Sequence, residues 1–328
     1  MAALDVNQLY NSLVQGSTIA LSKSITLLES TLESHQELAN QLLDKCLNHT
    51  GNSIRIAVTG VPGVGKSTFI DAFGKYLIEH HNKKVAVLAI DPTSQKTRGS
   101  ILGDKTRMNY LSVSDQSFVR PSPSGDTLGG VASETRESIL LCEAAGFDVI
   151  LVETVGVGQS ETLVHNMVDF FLLLLLPGAG DELQGIKRGI VEMADMIAIN
   201  KSDASPKLAK EAKQHYKNAL HLMQSTRAEW GVRVEMIDSL SGTNMDLIYD
   251  QIQSFVSIQK ANGLFESGRK EQSVLWLNQH IDHVFRILMK NNDRIQERLN
   301  AYQDKVSQNS QSPRSAAQQF IKELIKLD

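Results

Sequence analysis

The 328-residue sequence has few of the features that mark several large classes of protein. Its two cysteines, Cys46 and Cys142, lie far apart, which argues against a disulfide framework or a cysteine-rich metal site and fits a reducing cytoplasm. Lysine and arginine number 33 against 37 aspartates and glutamates, and the net charge is −4. Without a basic surplus, no nucleic-acid partner is expected.

The sequence also lacks a long apolar segment. The most apolar run, Phe170 to Leu176, has seven residues, whereas a membrane-spanning helix needs about 20. The first residues show no charged region followed by an apolar run, so we expect no signal peptide and no contact with a membrane. The short run is instead interpreted as a strand buried on both faces.

The middle of the chain, residues 51–258, contains short β-rich runs that alternate with longer helical segments. Near-continuous apolar strands separated by helices predict an α/β fold with a mostly parallel central sheet. Ligands of such sheets bind beyond the carboxyl ends of the strands, so the loops that follow the runs should share one rim. The six runs are Ile54–Gly60, Lys84–Asp91, Phe147–Thr154, Asp169–Gly178, Asp195–Lys201 and Val232–Asp238.

Both ends of the chain are expected to be helical. Residues 1–50 have apolar positions at helical spacing, with Ser17 and Ser34 as predicted N-caps. Residues 259–328 are predicted to form a second helical extension. This extension contains a stripe of apolar residues at 3-4-3-4 spacing, and packing on its own domain is favoured over a coiled coil. The stripe consists of Val274, Leu277, Ile281, Val284 and Leu288.

A glycine-rich loop follows the first run. The stretch "GVPGVGKS", residues 60–67, matches the phosphate-binding pattern G-x4-G-K-S between a strand and a helix. Its glycines let successive backbone N–H groups face an anion, and Lys66 can contact the β- and γ-phosphates. We therefore predict a P-loop NTPase fold. The predicted nucleotide contacts in this loop are Gly60, Val61, Pro62, Gly63, Val64, Gly65, Lys66, Ser67 and Thr68.

The stretch "NKSD" follows the fifth run and predicts recognition of guanine. The carboxylate of Asp203 can accept two hydrogen bonds, from N1–H and the exocyclic amine, a pair of donors that adenine lacks. Asn200 can bond the base and tie the loop, while the stem of Lys201 packs over the ring. Ser239 and Leu240, after the last run, are predicted to hold the base from the other side. Most GTPases have Ser-Ala there, so this match is poor.

Three acids along the same rim are candidate magnesium groups. Asp91 and Asp104 occur in "AIDPTS" and "ILGDKTRM", and Glu153 ends the third run where an aspartate is usual. With the hydroxyl of Ser67 they exceed what magnesium needs, since this ion keeps several waters. Two of the acids are therefore expected to hold waters, and Glu153 suits an outer position or a switch role. For Asp104, capping of a helix is the alternative.

Gly156 is a further predicted nucleotide contact, and the residue after it is valine, where many small GTPases have a water-orienting glutamine. We therefore expect slow intrinsic hydrolysis, with the missing group supplied by another loop or by a partner. Arg107 and Lys187 are the candidates. The segment Pro177–Gly189, which contains Asp181, is interpreted as a third switch, and an ordinary solvated loop is the alternative.

Six stretches together resemble the methylmalonyl-CoA mutase-associated GTPases: "GVPGVGKST", "AIDPTS", "SILGDKTRM", "ETVGVGQSE", "GAGDELQGIK" and "NKSD". The resemblance implies a homodimer that binds GTP and GDP with Mg²⁺, and it assigns the C-terminal extension, residues 259–328, to dimerisation. It also implies docking onto an adenosylcobalamin-dependent acyl-CoA mutase, where the protein gates cofactor loading and removal of damaged cobalamin. The catalytic set that it implies is Lys66, Arg107, Glu153, Asp181 and Lys187.

Two other functions are weighed against this one. A metallochaperone for nickel or a similar ion belongs to the same class of GTPases, but it needs a delivery site rich in histidine or cysteine. An ATP-using kinase or a scaffold is the second alternative. The change Asp203→Asn distinguishes these alternatives from a GTPase, because it should lower the preference for guanine only in a protein that recognises guanine.

Overall fold

A computed structural model of the chain describes residues 5–90, 108–121, 128–154, 160–178, 188–221 and 229–324. The chain divides into two compact units, Met1–Gln272 and Ser273–Asp328.

The first unit is built on a sheet of seven strands, all parallel, in the order β3-β2-β4-β1-β5-β6-β7. Its strands are β1 Ile54–Gly60, β2 Val85–Ile90, β3 Ser117–Arg120, β4 Val149–Thr154, β5 Phe170–Leu175, β6 Met196–Ile199 and β7 Arg233–Met236. All six predicted strands are confirmed, and β3 is a strand that the sequence analysis missed. It lies at the sheet edge and is only partly buried, so it needs no continuous apolar run.

Helices precede, alternate with and follow the strands along the chain. Before the sheet come α1 Val6–Val14, α2 Thr18–Leu28 and α3 Glu33–Cys46; between and after the strands come α4 Lys66–His81, α5 Leu128–Ala144, α6 Ser160–His165, α7 Arg188–Met193, α8 Pro206–His221 and α9 Met245–Ala261. The last three are α10 Leu264–Asn291, α11 Asp293–Ser307 and α12 Pro313–Leu324. Among the described residues, none of these helices combines the length and apolar character that a membrane crossing requires.

The core lies on both faces of the sheet. Every residue of β2 and β5 is buried, which confirms the interpretation of the Phe170–Leu176 run. Phe69 and Phe73 of α4 and Phe255 of α9 belong to the same buried cluster. Burial of an aromatic or aliphatic side chain contributes about 1.5–3 kcal/mol, so this cluster fixes α4 and α9 against the strands that precede the predicted site.

The two predicted N-caps had different outcomes. The hydroxyl of Ser17 accepts a hydrogen bond from the Ala20 N–H at 3.2 Å, so this cap is confirmed. The prediction for Ser34 is wrong, because α3 begins one residue earlier, at Glu33. An acidic side chain in the first turn interacts favourably with the positive end of the helix, so α3 forms without a side-chain cap.

A buried group of four charges fixes the start of α10 to the first unit. Arg55 pairs with Glu143 at 2.9 Å, and Arg269 pairs with Asp169 at 2.6 Å. Arg269 also donates to the carbonyl oxygens of Gly51 and Ser53. Burial alone would raise the pKa of Glu143, but the bonds from Arg55 and Ser53 and the charge of Arg269 lower it. The two ion pairs and the bonds around them therefore hold α5, β1 and the first turns of α10 together.

The second unit has a small core of its own. Tyr302 of α11 packs with Ala316 and Phe320 of α12, and the Tyr302 hydroxyl donates to Glu323 at 2.7 Å. The apolar stripe of α10 does not join this core. Its five residues are 40 to 59% exposed, so the interpretation that the stripe packs on its own domain is wrong.

Glu134 of α5 faces acidic neighbours where α5 packs against α2. Glu29, which directly follows α2, is nearby and pairs with Arg120 of β3, and Glu137 lies one turn along α5. Burial, followed by the charges of Glu29 and Glu137, raises the pKa of Glu134 to about 7. A carboxyl whose pKa is higher in the folded protein than in the unfolded chain makes folding less favourable as the pH rises from the unfolded-state pKa to the folded-state pKa.

Glu134→Gln is therefore expected to stabilise the protein above pH 7 and to have little effect below about pH 4.5. The glutamine keeps the shape but cannot ionise, so the variant should gain about 1–2 kcal/mol in the free energy of unfolding at pH 8, after allowance for solvent screening. Urea unfolding at pH 4.5, 6 and 8 measures this gain. A gain that is the same at all three pH values would contradict the prediction.

Candidate functional site

The candidate site follows the carboxyl ends of the parallel strands, as predicted. The described part of this rim holds the loop after β1, the last residues of β4, and the loops after β6 and β7. Six of the predicted site residues lie outside the described residues, and their roles stay predictions. They are Asp91, Asp104, Arg107, Gly156, Asp181 and Lys187.

The loop from Gly60 to Gly65 is closely surrounded, which explains its glycines. Gly60 has a φ of 152°, and a Cβ there would lie 2.5 Å from the carbonyl oxygen of Leu174 in β5. Gly65 has a φ of 96°, and a Cβ there would lie 2.8 Å from the Asn200 amide nitrogen. Any other residue at these positions is both strained and obstructed. The loop is therefore held in one shape by β5 and by the loop after β6.

Lys66 lies at the start of α4, and its ammonium lies under the glycine-rich loop. The side chain donates to the carbonyl oxygens of Gly60 at 2.8 Å and Val61 at 3.4 Å, and the residue is only 8% exposed. Burial lowers the pKa of the ammonium, while the charges of Glu153 and Glu161 oppose that shift. Within the described residues, the hydrogen bonds of this buried cation go to neutral carbonyls, and two acids lie within electrostatic reach, so it is well placed to accept an anionic ligand.

Glu161 is a site residue that the sequence analysis missed. It lies in the first turn of α6 and is 1% exposed. Its charge acts on Lys66 together with that of Glu153, which lies beside Val58 in the register of β4 and β1. Nothing in its sequence context distinguishes Glu161 from an ordinary helix-start acid. Its burial next to Lys66 depends on the tertiary structure.

Asn200 connects three loops of the rim. Its amide nitrogen donates to the Val64 carbonyl oxygen at 2.8 Å, and its Oδ1 accepts from the N–H and the hydroxyl of Ser239 at 3.1 and 2.8 Å. Lys201 has a φ of 59° and donates from Nζ to the Gly63 carbonyl oxygen at 2.9 Å. The predicted base loop is therefore bonded directly to the predicted phosphate loop.

Asp203 is exposed at the end of the same loop and faces the loop after β7. Its Oδ2 accepts from the hydroxyls of Ser241 at 2.7 Å and Thr243 at 3.1 Å. Asp238 is buried and accepts from the Asp203 N–H at 3.3 Å. Leu240, which lies between Asp238 and Ser241 in the sequence, is 87% exposed. In this loop the sequence analysis predicted base contacts for Ser239 and Leu240; the sequence signal for Asp238, Ser241 and Thr243 is a run of acid and hydroxyl residues directly after a strand.

Two described residues on this rim offer oxygen groups that suit magnesium. The Ser67 hydroxyl is half-buried at the start of α4, and the Glu153 carboxylate is half-buried at the end of β4. Both are hard oxygen groups of the kind that Mg²⁺ prefers, and Lys66 lies within electrostatic reach of Glu153. The residues present therefore fit this ion, with Asp91 and Asp104 as the further predicted groups.

A metal-delivery site receives no support from the described residues. Within them, no group of three or more histidine, cysteine, aspartate or glutamate side chains could hold a metal ion. Cys46 and Cys142 are both buried. Burial raises the pKa of the Cys46 thiol to about 11, and burial with the charge of Glu143 also raises the pKa of Cys142. Neither thiol readily becomes the thiolate that a metal needs.

Comparison with known proteins gives consistent matches. The family model described as "Methylmalonyl Co-A mutase-associated GTPase MeaB" matches residues 21–293. The chain is 51% identical over 275 residues to a "Putative GTPase" of Caulobacter vibrioides, with 84% of each chain covered. It is 47% identical over 277 residues to "GTPase ArgK" of Escherichia coli, with 83% of each covered.

A mitochondrial relative and a solved structure extend the comparison. The mouse "Methylmalonic aciduria type A homolog, mitochondrial" is 42% identical over 328 residues, which cover 97% of this chain and 79% of the mouse protein. A crystal structure titled "LAO/AO transport system kinase" is 37% identical with a TM-score of 0.77, covering 99% of this chain and all of that one. The likeness therefore includes both units and the whole candidate site.

Proposed function

Because this chain belongs to the methylmalonyl-CoA mutase-associated GTPase (MeaB) family, we propose that it is a GTP-hydrolysing chaperone of an adenosylcobalamin-dependent acyl-CoA mutase. The mutase is methylmalonyl-CoA mutase or a relative, and the GTPase gates the loading of its cofactor and its protection. The observation that carries the proposal is the bond from Asn200 to Val64. It joins a phosphate loop and a guanine loop into one site.

The phosphates of GTP would lie against the loop from Gly60 to Thr68. This loop offers backbone N–H groups at the start of α4 together with the Lys66 ammonium. Arrival of the β- and γ-phosphates would draw Lys66 from the Gly60 carbonyl to the anion. The guanine would lie on the loop that begins at Asn200, with Lys201 and Asp203 on one side and Ser239 and Leu240 on the other.

Mg²⁺, when bound, neutralises the charge that develops on the phosphates. Ser67 and Glu153, with Asp91 and Asp104, are the residues that would hold it and its waters. Glu153 acts electrostatically on Lys66 and directly precedes the segment that contains Gly156. A change at Lys66 on phosphate binding would therefore be felt at Glu153, and the following segment would present that state to a partner.

The partner is expected to accelerate hydrolysis. Turnover should be slow for the GTPase alone and rise about tenfold or more with the cognate mutase, since a charge supplied in a completed site can accelerate such reactions up to about 10⁵-fold. Arg107→Ala and Lys187→Ala should lose most of this stimulation and retain basal turnover. Phosphate release under saturating GTP, with and without the mutase, measures both rates.

Two results of that experiment would contradict the proposal. Unchanged turnover in the presence of the cognate mutase would remove the chaperone function. Full stimulation of both variants would remove the assignment of Arg107 and Lys187 to the switch. Asn278→Asp, an exposed change in the second unit, serves as the control and should behave like the wild type.

The apolar stripe of α10 is proposed as the face of a homodimer. Five apolar side chains in a row at helical spacing, 40 to 59% exposed, are more than scattered surface residues explain. A stripe with 3-4-3-4 spacing matches the seam along which two helices pack. A second copy of this chain supplies the same stripe and so fits it by symmetry.

Charges in the stripe should separate the proposed dimer. The double variant Leu277→Asp/Ile281→Asp would place two carboxylates in the seam at a cost of several kcal/mol, and the protein should become monomeric at micromolar concentration. Sedimentation equilibrium measures this change, and Asn278→Asp on the same helix should remain dimeric. A monomeric wild type would contradict the prediction.

A further inference from the structure

The loop after β7 contains a buried acid that the proposed GTP site does not use. Asp238 accepts from the backbone N–H groups of Leu240 at 2.9 Å and Ser241 at 3.2 Å through Oδ1. Its Oδ2 accepts from the Asp203 N–H at 3.3 Å. The N–H of Asp238 donates to the Thr243 carbonyl oxygen at 3.3 Å. One carboxylate therefore fixes the turn that it begins and joins that turn to the backbone of Asp203.

Two hydroxyls in this turn face the side chain of Asp203. Ser241 and Thr243, called here the hydroxyl pair, lie 2.7 and 3.1 Å from Asp203 Oδ2 and 2.7 Å from each other. Three contacts share two hydroxyl hydrogens, so at most two are hydrogen bonds at any moment. When one hydroxyl donates to the other, the hydrogen of the second hydroxyl is still available to Asp203 Oδ2. Among the described residues, the bonds donated to this carboxylate fall on Oδ2.

The one-sided bonding has a consequence for base recognition. Guanine presents N1–H and the exocyclic amine in one plane, so both carboxylate oxygens must lie in that plane to accept the two bonds. An exposed carboxylate rotates freely about its terminal torsion. Bonds from the hydroxyl pair to Oδ2 restrict this rotation and so hold the plane in which both oxygens lie. Ordering the group before binding removes an entropy cost from the binding step.

Resting on the GTP site proposed above, we propose that Asp238, Ser241 and Thr243 are positioning residues that set guanine specificity by fixing the backbone and the carboxylate of Asp203. None of the three needs to touch the nucleotide. Asp238 determines where Asp203 lies, and the hydroxyl pair determines which way its carboxylate faces.

The test compares GDP with IDP, which lacks the exocyclic amine and so loses one of the two bonds. In the full chain, Ser241→Ala/Thr243→Val should weaken GDP binding about three- to tenfold. IDP binding should weaken less, because a single hydrogen bond does not require both carboxylate oxygens to lie in the plane of the base. The measured quantity is the ratio of the IDP and GDP dissociation constants from calorimetric titration, which should fall about threefold. Thr243→Ser, which retains the donor, should keep the wild-type ratio.

The controls separate this inference from simpler explanations. Ser254→Ala removes an exposed hydroxyl that donates within α9 and should leave the ratio unchanged. An unchanged ratio in the double variant would overturn the inference. If GDP and IDP binding weaken equally, the hydroxyl pair has a merely structural role; if neither weakens, it has no role in base recognition. If the double variant melts below the assay temperature, Thr243→Val alone must show the fall in ratio.

Two further variants address Asp238 and the GTP site itself. Asp238→Asn places an amide N–H against a backbone N–H and should lower the ratio in the same direction; a wild-type ratio in a folded Asp238→Asn variant removes Asp238 from the inference. Asp203→Asn tests guanine recognition. If it leaves GDP preferred, the proposed base site fails. If it abolishes the preference while the double variant keeps the wild-type ratio, only the positioning inference fails.

Discussion

Lys66→Met is expected to lower GTP turnover at least about 100-fold. The ammonium lies beneath the phosphate loop, and a positioned donor or charge that stabilises developing negative charge is worth about 10²–10³ in rate. The fold should be little affected, because burial already lowers the pKa of this ammonium, so its charge is held at a cost to the folded state. Steady-state phosphate release and thermal unfolding without nucleotide measure the two effects.

Two matched variants distinguish charge from position at this site. Lys66→Arg keeps the charge but is longer and forked, and the space between the Gly60 and Val61 carbonyls is filled by a single ammonium. We expect it to lose turnover almost as fully as methionine. Lys75→Met, on the exposed face of the same helix, should turn over GTP at the wild-type rate. Turnover by Lys66→Met within threefold of the wild type would remove Lys66 from the mechanism.

Asp203→Asn is expected to change which base the protein prefers. An asparagine offers one acceptor and one donor, so it mismatches guanine, which presents two donors, and matches xanthine, which presents a donor and an oxygen acceptor. When a ligand loses a matched hydrogen bond and leaves a buried group of the site unpaired, the site commonly binds it more weakly than a matched ligand by a factor of about 10² or more. Affinity for GDP should therefore fall at least about 100-fold relative to XDP.

The surroundings of Asp203 make this change specific. The hydroxyls of Ser241 and Thr243 donate to one side of the carboxylate, so the amide oxygen of an asparagine should take that side and its NH₂ should face the ligand. Calorimetric titration with GDP and XDP measures the ratio, and Asp282→Asn, exposed on α10, is the control. A GDP-to-XDP ratio unchanged by Asp203→Asn would exclude guanine recognition at this loop and favour the kinase or scaffold alternative.

The sequence was sufficient for features that depend on residues close together in the chain. Six of the seven strands were predicted, because a buried parallel strand needs an unbroken apolar run. The phosphate loop was predicted because its glycines, lysine and serine must follow a strand at fixed spacing. The edge strand β3 was missed, since a half-buried strand has no such run. Ser34 failed as a cap because Glu33 begins the helix one residue earlier.

The sequence by itself determined six of the seven strands in the described part of the chain, the rim that they share, and the chemistry of the loops on it, since each follows from local spacing and from the direction of parallel strands. The tertiary structure alone decided which loops touch. Asn200 bonds a carbonyl 136 residues away in sequence, Asp203 bonds hydroxyls 38 and 40 residues away, and Glu161 acts on Lys66. It also decided that the α10 stripe is exposed. Apolar spacing specifies which face of an element avoids water, but not which other surface covers that face.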